Sequence, residues 1–189
     1  AAFVLPILQV LQPGSGIRAL IVTPTRELAR QIEEMALPLA ERRCFRVLAV
    51  YGGVRIDGQI KRLRKGVDLL VATPGRLLDL KRRGNLDLSC VRFLVLDEAD
   101  RMLDMGFVND VRRIAKAVHR DKQTALFSAT MPKEIEELAR GIMKDPVHVE
   151  VAPQGTTAAE IKQSVVLARL KQKRKVLSDM LADEAMSSV

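Results

Sequence analysis

Short apolar runs rich in Val, Leu and Ile recur along the chain. They are near-continuous rather than alternating between apolar and polar residues, a pattern typical of strands that are buried on both faces. We therefore predict six buried strands, at Ala19–Val22, Val47–Tyr51, Leu69–Ala72, Phe93–Leu96, Ala125–Phe127 and Val147–Val151.

Amphipathic helical patterns lie between most of these runs. Apolar residues recur at helical spacing in Arg26–Glu41, in Val108–Val118 and in Ile135–Met143. Alternation of strands and helices favours a parallel sheet with helices on both faces. The pattern therefore predicts an α/β fold.

The composition changes after the last predicted strand. Residues 152–160 are small and polar, which is typical of a linker. Ile161–Leu170 then reads as a strand and Lys171–Ala185 as a charged amphipathic helix. One strand and one helix cannot form a core alone, so we expect residues 1–151 to be one domain and residues 161–189 to begin a second.

Composition narrows the class of partner. The chain has 31 Lys+Arg against 23 Asp+Glu, a net charge of +8, which favours polyanions such as nucleic acid or an anionic membrane surface. No apolar stretch reaches the roughly 20 residues of a membrane span, and we expect no membrane partner. With no Trp, one Tyr and five Phe, base stacking is limited, so we expect contacts to phosphates and sugars with little sequence reading.

The two cysteines, Cys44 and Cys90, are not spaced as a metal-binding pair. We predict two buried or half-buried free thiols in a reducing compartment, the cytoplasm.

An acidic run follows one of the predicted strands. Phe93–Leu96 ends in the adjacent carboxylates of Asp97 and Glu98, and Asp100 follows two residues after Glu98. Ligands of open parallel sheets bind beyond the carboxyl ends of the strands. Phosphoryl transfer needs one Asp to hold Mg²⁺, usually through water, and a second acid to deprotonate the attacking water. Asp97 fits the first role and Glu98 the second, although acids also begin helices for purely structural reasons.

Three turns follow other strands and could bind anions. In Thr23-Pro24-Thr25-Arg26 and in Thr73-Pro74-Gly75-Arg76, Thr can cap a helix and Pro can take its first position. Free backbone N–H groups with an Arg nearby form a ready anion site, and Gly75 would let a sugar–phosphate backbone approach closely. The pair Gly52-Gly53 could do the same. Three such sites on one sheet edge suit a nucleic acid strand, and ordinary helix capping is the alternative.

A pair of hydroxyls follows the fifth predicted strand. Ser128 and Thr130 could bond to carboxylates on a neighbouring strand, and Asp100 would meet them if the two strands pair. Such a contact could relay the state of a bound nucleotide, although a Ser-Ala-Thr turn is also an ordinary cap.

Together these segments resemble the motifs of the DEAD-box family of RNA helicases. Asp97–Asp100 has the sequence Asp-Glu-Ala-Asp, from which the family takes its name. Four other segments resemble its further motifs: Pro24-Thr25-Arg26-Glu27-Leu28-Ala29, Gly52-Gly53, Thr73–Arg76 and Ser128–Thr130. Five motifs in the expected order are far more specific than any one of them. Asp97–Phe107 and residues 131–151 are most similar to the bacterial RhlE-type branch.

The resemblance implies a RecA-like sheet of the P-loop NTPase type, ATP and Mg²⁺ as cofactors, RNA as partner, and local unwinding of short duplexes. Asp97 would coordinate Mg²⁺ through water and Glu98 would activate water. Asp100, Ser128 and Thr130 would couple hydrolysis to RNA binding. The residues implied to line the RNA track are Pro24, Thr25, Arg26, Gly52, Gly53, Thr73, Gly75 and Arg76.

The sequence also departs from the family pattern. The phosphate loop Gly-x-Gly-Lys-Thr is absent and would come immediately before Ala1, so we expect a chain cut from a longer protein that hydrolyses ATP negligibly by itself. One alternative is a non-catalytic RNA-binding or scaffold domain that binds RNA without nucleotide dependence. A related motor acting on DNA is another, which the 2′-OH contacts of the family make less favoured.

Overall fold

A parallel sheet organises the first part of the chain. The computed structural model describes residues 2–12, 14–150 and 165–182. Its five strands pair in the order β2-β3-β1-β4-β5, and every pair is parallel. The strands are β1 (Ala19–Val22), β2 (Val47–Val50), β3 (Leu69–Ala72), β4 (Phe93–Leu96) and β5 (Gln123–Leu126).

Helices cover both faces of this sheet. They are α1 (Val4–Val10), α2 (Arg26–Glu41), α3 (Ile56–Arg64), α4 (Pro74–Arg82), α5 (Ala99–Asp104), α6 (Val108–Ala117) and α7 (Lys133–Ile142). Successive side chains of a strand point to opposite faces. Leu20 and Val22 of β1 therefore join a core with α3 to α7, while Ala19 and Ile21 join a second core with α1 and α2. The predicted α/β fold is confirmed.

Strand burial decreases toward one edge of the sheet. All residues of β1, β2 and β3 are buried, because helices cover both faces there. Each fully buried Leu or Val contributes roughly 1.5–3 kcal/mol. In β5 the first residue, Gln123, is exposed and the next three are half-buried. Among the described strands β5 pairs with β4 alone, so it forms an edge.

The sixth predicted strand is not observed. Residues 147–150 do not form a strand, and Val147 and Val149 are 89% and 80% exposed. Val151 lies outside the described residues. The prediction assumed that these valines would be buried on both faces of a strand, and their side chains are exposed instead. Apolar composition alone therefore overpredicted a strand here.

The end of the chain forms a separate unit. The chain divides into two units, residues 1–149 and residues 150–189. The predicted linker, residues 152–160, lies outside the described residues, as do residues 161–164 of the predicted strand. The described remainder of that strand has no strand pairing and leads into a 3₁₀ turn, Leu170–Gln172. Helix α8, Lys173–Leu181, lies within the predicted helix.

Cys44 and Cys90 are both free, as predicted. Both are exposed, so the prediction that they are buried or half-buried was wrong. Each lies in a turn between elements, where the chain runs at the surface. Of the helices in the described residues, none combines the length and the apolar character that crossing a membrane requires.

A buried carboxylate joins the starts of three strands. Asp68, which precedes β3, is 3% exposed. Its Oδ2 accepts hydrogen bonds from the backbone N (2.7 Å) and Nε (3.0 Å) of Arg46, which precedes β2. Its Oδ1 accepts from the guanidinium of Arg18, which precedes β1. Burial raises the pKa of Asp68, but the hydrogen bonds from Arg46 and the charges of Arg46 and Arg18 outweigh it and lower the pKa.

We expect Asp68→Asn to lower the free energy of unfolding by about 3 kcal/mol at neutral pH, because the half-buried Arg18 and the neighbouring Arg46 lose their counter-charge. A carboxylate with a depressed pKa stabilises the fold above its unfolded pKa, about 3.9, and that contribution is lost as pH falls through the folded value. The difference in unfolding free energy between Asp68→Asn and wild type should therefore become smaller below about pH 4. Urea unfolding followed at several pH values measures both effects.

The exposed Asp57 of α3 provides the control for this experiment. Asp57→Asn should change the unfolding free energy by about 0.5 kcal/mol or less. Equal unfolding free energies for Asp68→Asn and wild type at neutral pH would contradict the assignment.

Candidate nucleic-acid cleft and acidic edge

The strand order sets the order of the predicted motifs along one edge. Since all strands are parallel, their carboxyl ends meet at the same edge. Across the sheet from β2 to β5, the first residues beyond the strand ends include Gly52, Thr73, Thr23, Asp97 and Ser128. The three turns predicted to bind anions therefore follow the adjacent strands β2, β3 and β1. The acidic and hydroxyl turns follow β4 and β5.

The three turns border one open cleft of about 700 Å³. All eight residues predicted to line an RNA track also line this cleft: Pro24, Thr25, Arg26, Gly52, Gly53, Thr73, Gly75 and Arg76. Sequence reasoning missed four further lining residues, Glu27, Asp79, Met105 and Phe107. Glu27 and Asp79 follow two of the predicted turns closely and could have been found from helix geometry. Met105 and Phe107 come from the segment after α5, which only folding brings here.

The first turn begins α2 differently from the prediction. Thr25, rather than Thr23, is the N-cap residue, and its Oγ1 accepts a hydrogen bond from the backbone N of Leu28 at 3.3 Å. The helix starts at Arg26, so Pro24 precedes the cap instead of taking the first helical position. Thr23 is fully buried at the end of β1. Arg26 is thereby placed at the first helical residue, beside the cleft.

The second turn begins α4 as predicted, with Thr73 at the N-cap position and Pro74 next to it. In the described structure the Thr73 side chain makes no capping hydrogen bond, which corrects that detail of the prediction. Nη2 of Arg76 donates a hydrogen bond to the carbonyl oxygen of Val54 at 2.9 Å. The arginine thus holds the loop that contains Gly52 against the start of α4.

The third turn has a structural need for glycine. Gly53 has φ of +79°, a backbone conformation that residues with a Cβ rarely adopt. A Cβ placed there would also lie 3.4 Å from Nη1 of Arg26. The guanidinium of Arg26 therefore lies close to the glycine loop, and the first and third turns meet at this point.

The two carboxylates of the cleft each have arginine partners. Nε of Arg26 donates to Oε1 of Glu27. Oδ1 of Asp79 accepts from Arg82 and from Arg83, both at 2.9 Å, and these hydrogen bonds, that of Arg83 first, lower the pKa of Asp79. The negative charges of the lining are thus compensated locally, which leaves the cleft open to an anion.

Asp97 is half-buried where β4 ends. Its Oδ1 accepts a hydrogen bond from the backbone N of Glu98 at 3.1 Å. Burial raises the pKa of Asp97 and outweighs that hydrogen bond, and the charge of Glu98 raises it further. A carboxylate whose charged form is disfavoured in this way would be stabilised by a bound cation.

The fit of Asp97 to Mg²⁺ follows from the donor set. Among the residues that the structure describes, no group of three or more His, Cys, Asp or Glu side chains is arranged to hold a metal ion. Mg²⁺ is commonly held by one or two carboxylates together with waters and substrate phosphates. The half-buried carboxylate of Asp97 at the sheet edge is therefore compatible with Mg²⁺.

Glu98 has a strained backbone. Its φ and ψ of 52° and 55° lie in the left-handed region, which costs a residue other than glycine roughly 1–2 kcal/mol. Such outliers cluster at functional sites, where the surrounding structure holds them. Here Asp97 and Glu98 connect β4 to α5, and Oε2 of Glu98 accepts a hydrogen bond from Nη1 of Arg101 at 3.1 Å.

Asp100 bridges the ends of β4 and β5, as the sequence predicted. Its Oδ2 accepts hydrogen bonds from the backbone N and from Oγ1 of Thr130, both at 3.0 Å. The backbone N of Asp100 donates to Oγ of Ser128 at 3.0 Å, and that hydroxyl donates to the carbonyl oxygen of Thr130 at 2.7 Å. Burial raises the pKa of Asp100, but the hydrogen bonds it accepts, that of the Thr130 hydroxyl first, lower it on balance.

The predicted motifs thus occupy one sheet edge, and an independent comparison decides the family. Residues 1–138 match the DEAD/DEAH box helicase family. The chain belongs to this family. Assignment to the RhlE-type branch stays a prediction.

Similar proteins support this membership. Over 185 residues the chain is 43% identical to the RNA helicase CrhR of Synechocystis sp. (strain ATCC 27184 / PCC 6803 / Kazusa). That alignment covers 97% of this chain and 38% of the relative, so the chain spans well under half the length of that curated protein.

Two solved structures of helicase-family proteins share the fold. One is a DEAD box protein from the hyperthermophile Methanococcus jannaschii, with a TM-score of 0.76, 40% identity, and coverage of 96% of this chain and 49% of that one. The other is a hypothetical ATP-dependent RNA helicase from Sulfolobus tokodaii, with a TM-score of 0.70, 40% identity, and coverage of 77% of this chain and 42% of that one.

Hydrogen exchange at the backbone amide of Thr130 tests the hydrogen bonds that Asp100 makes with Ser128 and Thr130. In Asp100→Ala the backbone N–H of Thr130 loses its acceptor, and we expect its hydrogen exchange to become about tenfold faster, as the loss of one hydrogen bond implies. Thr130→Val removes only the hydroxyl and should have a smaller effect at that amide. Exchange measured by NMR at residue 130 separates the two. Unchanged exchange in Asp100→Ala would show that the bridge does not form in solution.

Proposed function

We propose that the chain is part of an ATP-dependent RNA helicase, which couples hydrolysis of Mg-ATP to sequence-nonspecific RNA binding and local duplex unwinding. The observation that carries the proposal is the arrangement of residues along the carboxyl edge, the edge of the sheet at which the carboxyl ends of all five strands meet. Eight residues expected to contact RNA line one cleft, and the acidic turn expected to support hydrolysis follows the next strand of the same sheet.

The cleft favours the backbone of a nucleic acid over its bases. The start of α2, the start of α4 and the glycine loop provide backbone N–H groups and close approach, which suit phosphates. Arg76 adds positive charge, and Arg26, which is paired with Glu27 in this structure, adds further N–H donors, in a chain whose net charge is +8. These features support binding with little sequence preference. RNA is favoured over DNA by the names of the relatives, which are RNA helicases.

The acidic turn supports the hydrolysis step. We assign Asp97 to Mg²⁺, held through water, and the ion would supply stabilisation of charge on the transferring phosphate. Glu98 would orient and deprotonate the attacking water. In this structure the Glu98 carboxylate contacts Arg101 at 3.1 Å, so acting as a base requires Glu98 to accept a hydrogen bond from water as well.

The Asp100 bridge supports coupling between the two halves of the edge. Asp100 closely follows the hydrolysis pair along the chain and accepts hydrogen bonds from Thr130 beyond the neighbouring strand. A change at Asp97 or Glu98 would therefore reach Ser128 and Thr130 through the short segment to Asp100 and then through the hydrogen bonds of Asp100. We propose that these residues transmit the nucleotide state to the RNA-binding part of the protein.

The proposal extends to domain organisation and location. We assign residues 1–151 to a first RecA-like domain, residues 152–160 to a linker, and residues 161–189 to the start of a second. Two free cysteines fit a reducing compartment, and we place the protein in the cytoplasm.

Glu98→Gln tests the hydrolysis step. The measurement is RNA-stimulated ATP hydrolysis by the full-length protein that carries this chain. Because general base catalysis is typically worth 10²–10⁴-fold, we expect the variant to lose about 100-fold or more in turnover and to keep ATP binding. Wild-type protein that does not turn over but binds RNA equally with and without nucleotide would favour a non-catalytic RNA-binding domain.

Arg76→Ala tests the cleft. Removing one phosphate contact should weaken binding of single-stranded RNA by about tenfold and reduce the salt dependence of log Kd by about 0.7, the slope for one contact on a single strand. Fluorescence anisotropy with labelled RNA at several salt concentrations measures both. Arg140→Ala on α7, which does not line the cleft, is the matched control. Equal salt dependence in both variants would rule out a phosphate contact at Arg76.

A further inference from the structure

Met105 adds an apolar side chain to the cleft. It is 48% exposed, and apart from Phe107 the other lining residues are a proline, glycines, threonines and charged residues. A single exposed apolar residue is ordinary on a protein surface. The distinguishing fact is its position, since it faces the same cleft as the arginines expected to hold phosphates.

The turn after α5 fixes the backbone of Met105 in place. The backbone N of Met105 donates to the carbonyl oxygen of Arg101 at 3.1 Å, and the N of Gly106 donates to that of Leu103 at 2.9 Å. Gly106 has φ of +77°, which ends the helix in a left-handed turn. Phe107 then packs against the core. Met105 is therefore presented by an anchored turn, so little ordering of the backbone would be needed for its side chain to bind a ligand.

We propose that Met105 packs against the ribose of a nucleotide bound in the cleft, as an apolar contact beside the phosphate contacts. The inference rests on the proposed binding of RNA. The ribose is joined directly to the phosphate, so it is the first apolar surface that enters a cleft whose polar groups hold phosphates. Base stacking would need an exposed aromatic ring, and the ring of Phe107, although it lines the cleft, is half-buried against the core.

Three variants of the full-length protein test this contact. Met105→Ala removes the side chain, Met105→Gln keeps its length but makes it polar, and Met105→Leu keeps its apolar character. We expect Met105→Ala and Met105→Gln to bind single-stranded RNA about fivefold more weakly, as expected from losing roughly 40 Å² of apolar contact. Met105→Leu should bind nearly as wild type. The control is Val10→Ala on α1, where the native valine is 53% exposed. This variant should bind RNA with the same affinity as wild type.

Modified RNA then identifies the group that Met105 contacts. At each position in turn, one strand carries an abasic ribose, and another carries an acyclic three-carbon spacer that lacks the ring. We expect one position at which the spacer weakens binding by wild type about fivefold but leaves binding by Met105→Ala unchanged. The abasic ribose at that position should leave the difference between the two proteins intact. The salt dependence of Met105→Ala should equal that of wild type, because no phosphate contact is lost.

Several outcomes would overturn the inference. Equal affinities of Met105→Ala and wild type would show that there is no contact. Loss of the difference on the abasic strand would assign the contact to a base instead of the ribose. If wild-type protein does not bind RNA at all, the proposed function fails and this inference fails with it, whereas wild-type binding with silent Met105 variants removes the inference alone.

Discussion

Parallel pairing of β1 with β3 on one side and with β4 on the other places the predicted motifs at a common edge. In a parallel sheet each strand ends where its neighbours end, so residues that are remote in the chain become adjacent. The sheet depends in turn on helices that cover both faces and leave β1 and β3 fully buried. At the opposite edge, Asp68 binds the residues that precede β1 and β2, which fixes the register from the other end.

The carboxyl edge is divided electrostatically. On the side of β2, β3 and β1 the carboxylates Glu27 and Asp79 are paired with arginines, and glycines leave room for a ligand backbone. On the side of β4, the half-buried carboxylate of Asp97 accepts from a backbone N–H, and burial raises its pKa. One half thus suits an anionic strand, and the other suits a cation. This division agrees with membership of the DEAD/DEAH box helicase family.

Local backbone geometry holds the important side chains in place. Glu98 occupies a left-handed conformation between β4 and α5, and Gly106 ends α5 in a second left-handed turn. Between these two points the short helix positions both Asp100, which reaches Thr130, and Met105, which lines the cleft. A single segment of chain therefore contributes to the acidic turn, to the bridge between strands and to the wall of the cleft. A strained backbone conformation persists in a fold where the contacts of the surrounding residues hold it in place.

The sequence by itself determined the strands β1 to β4 nearly to the residue, the place of β5, the bounds of α2, and the family motifs. Strands buried on both faces must be apolar throughout, and phosphate and acid chemistry needs particular residue types at short spacing. It also favoured a contact of Asp100 with Ser128 and Thr130, conditional on strands that pair. Those are local properties, which neighbouring residues encode.

Only the tertiary structure decided the strand order, in which β1 lies between β3 and β4 instead of beside β2. It also decided that Met105 and Phe107 reach the cleft, that Thr25 rather than Thr23 caps α2, and that residues 147–150 are not a strand. Each of these depends on which elements become neighbours. Strand pairing and side-chain packing join residues that are distant in the sequence. Apolar composition therefore indicates that a segment can be buried or paired, but it does not indicate which other segment will cover it or pair with it.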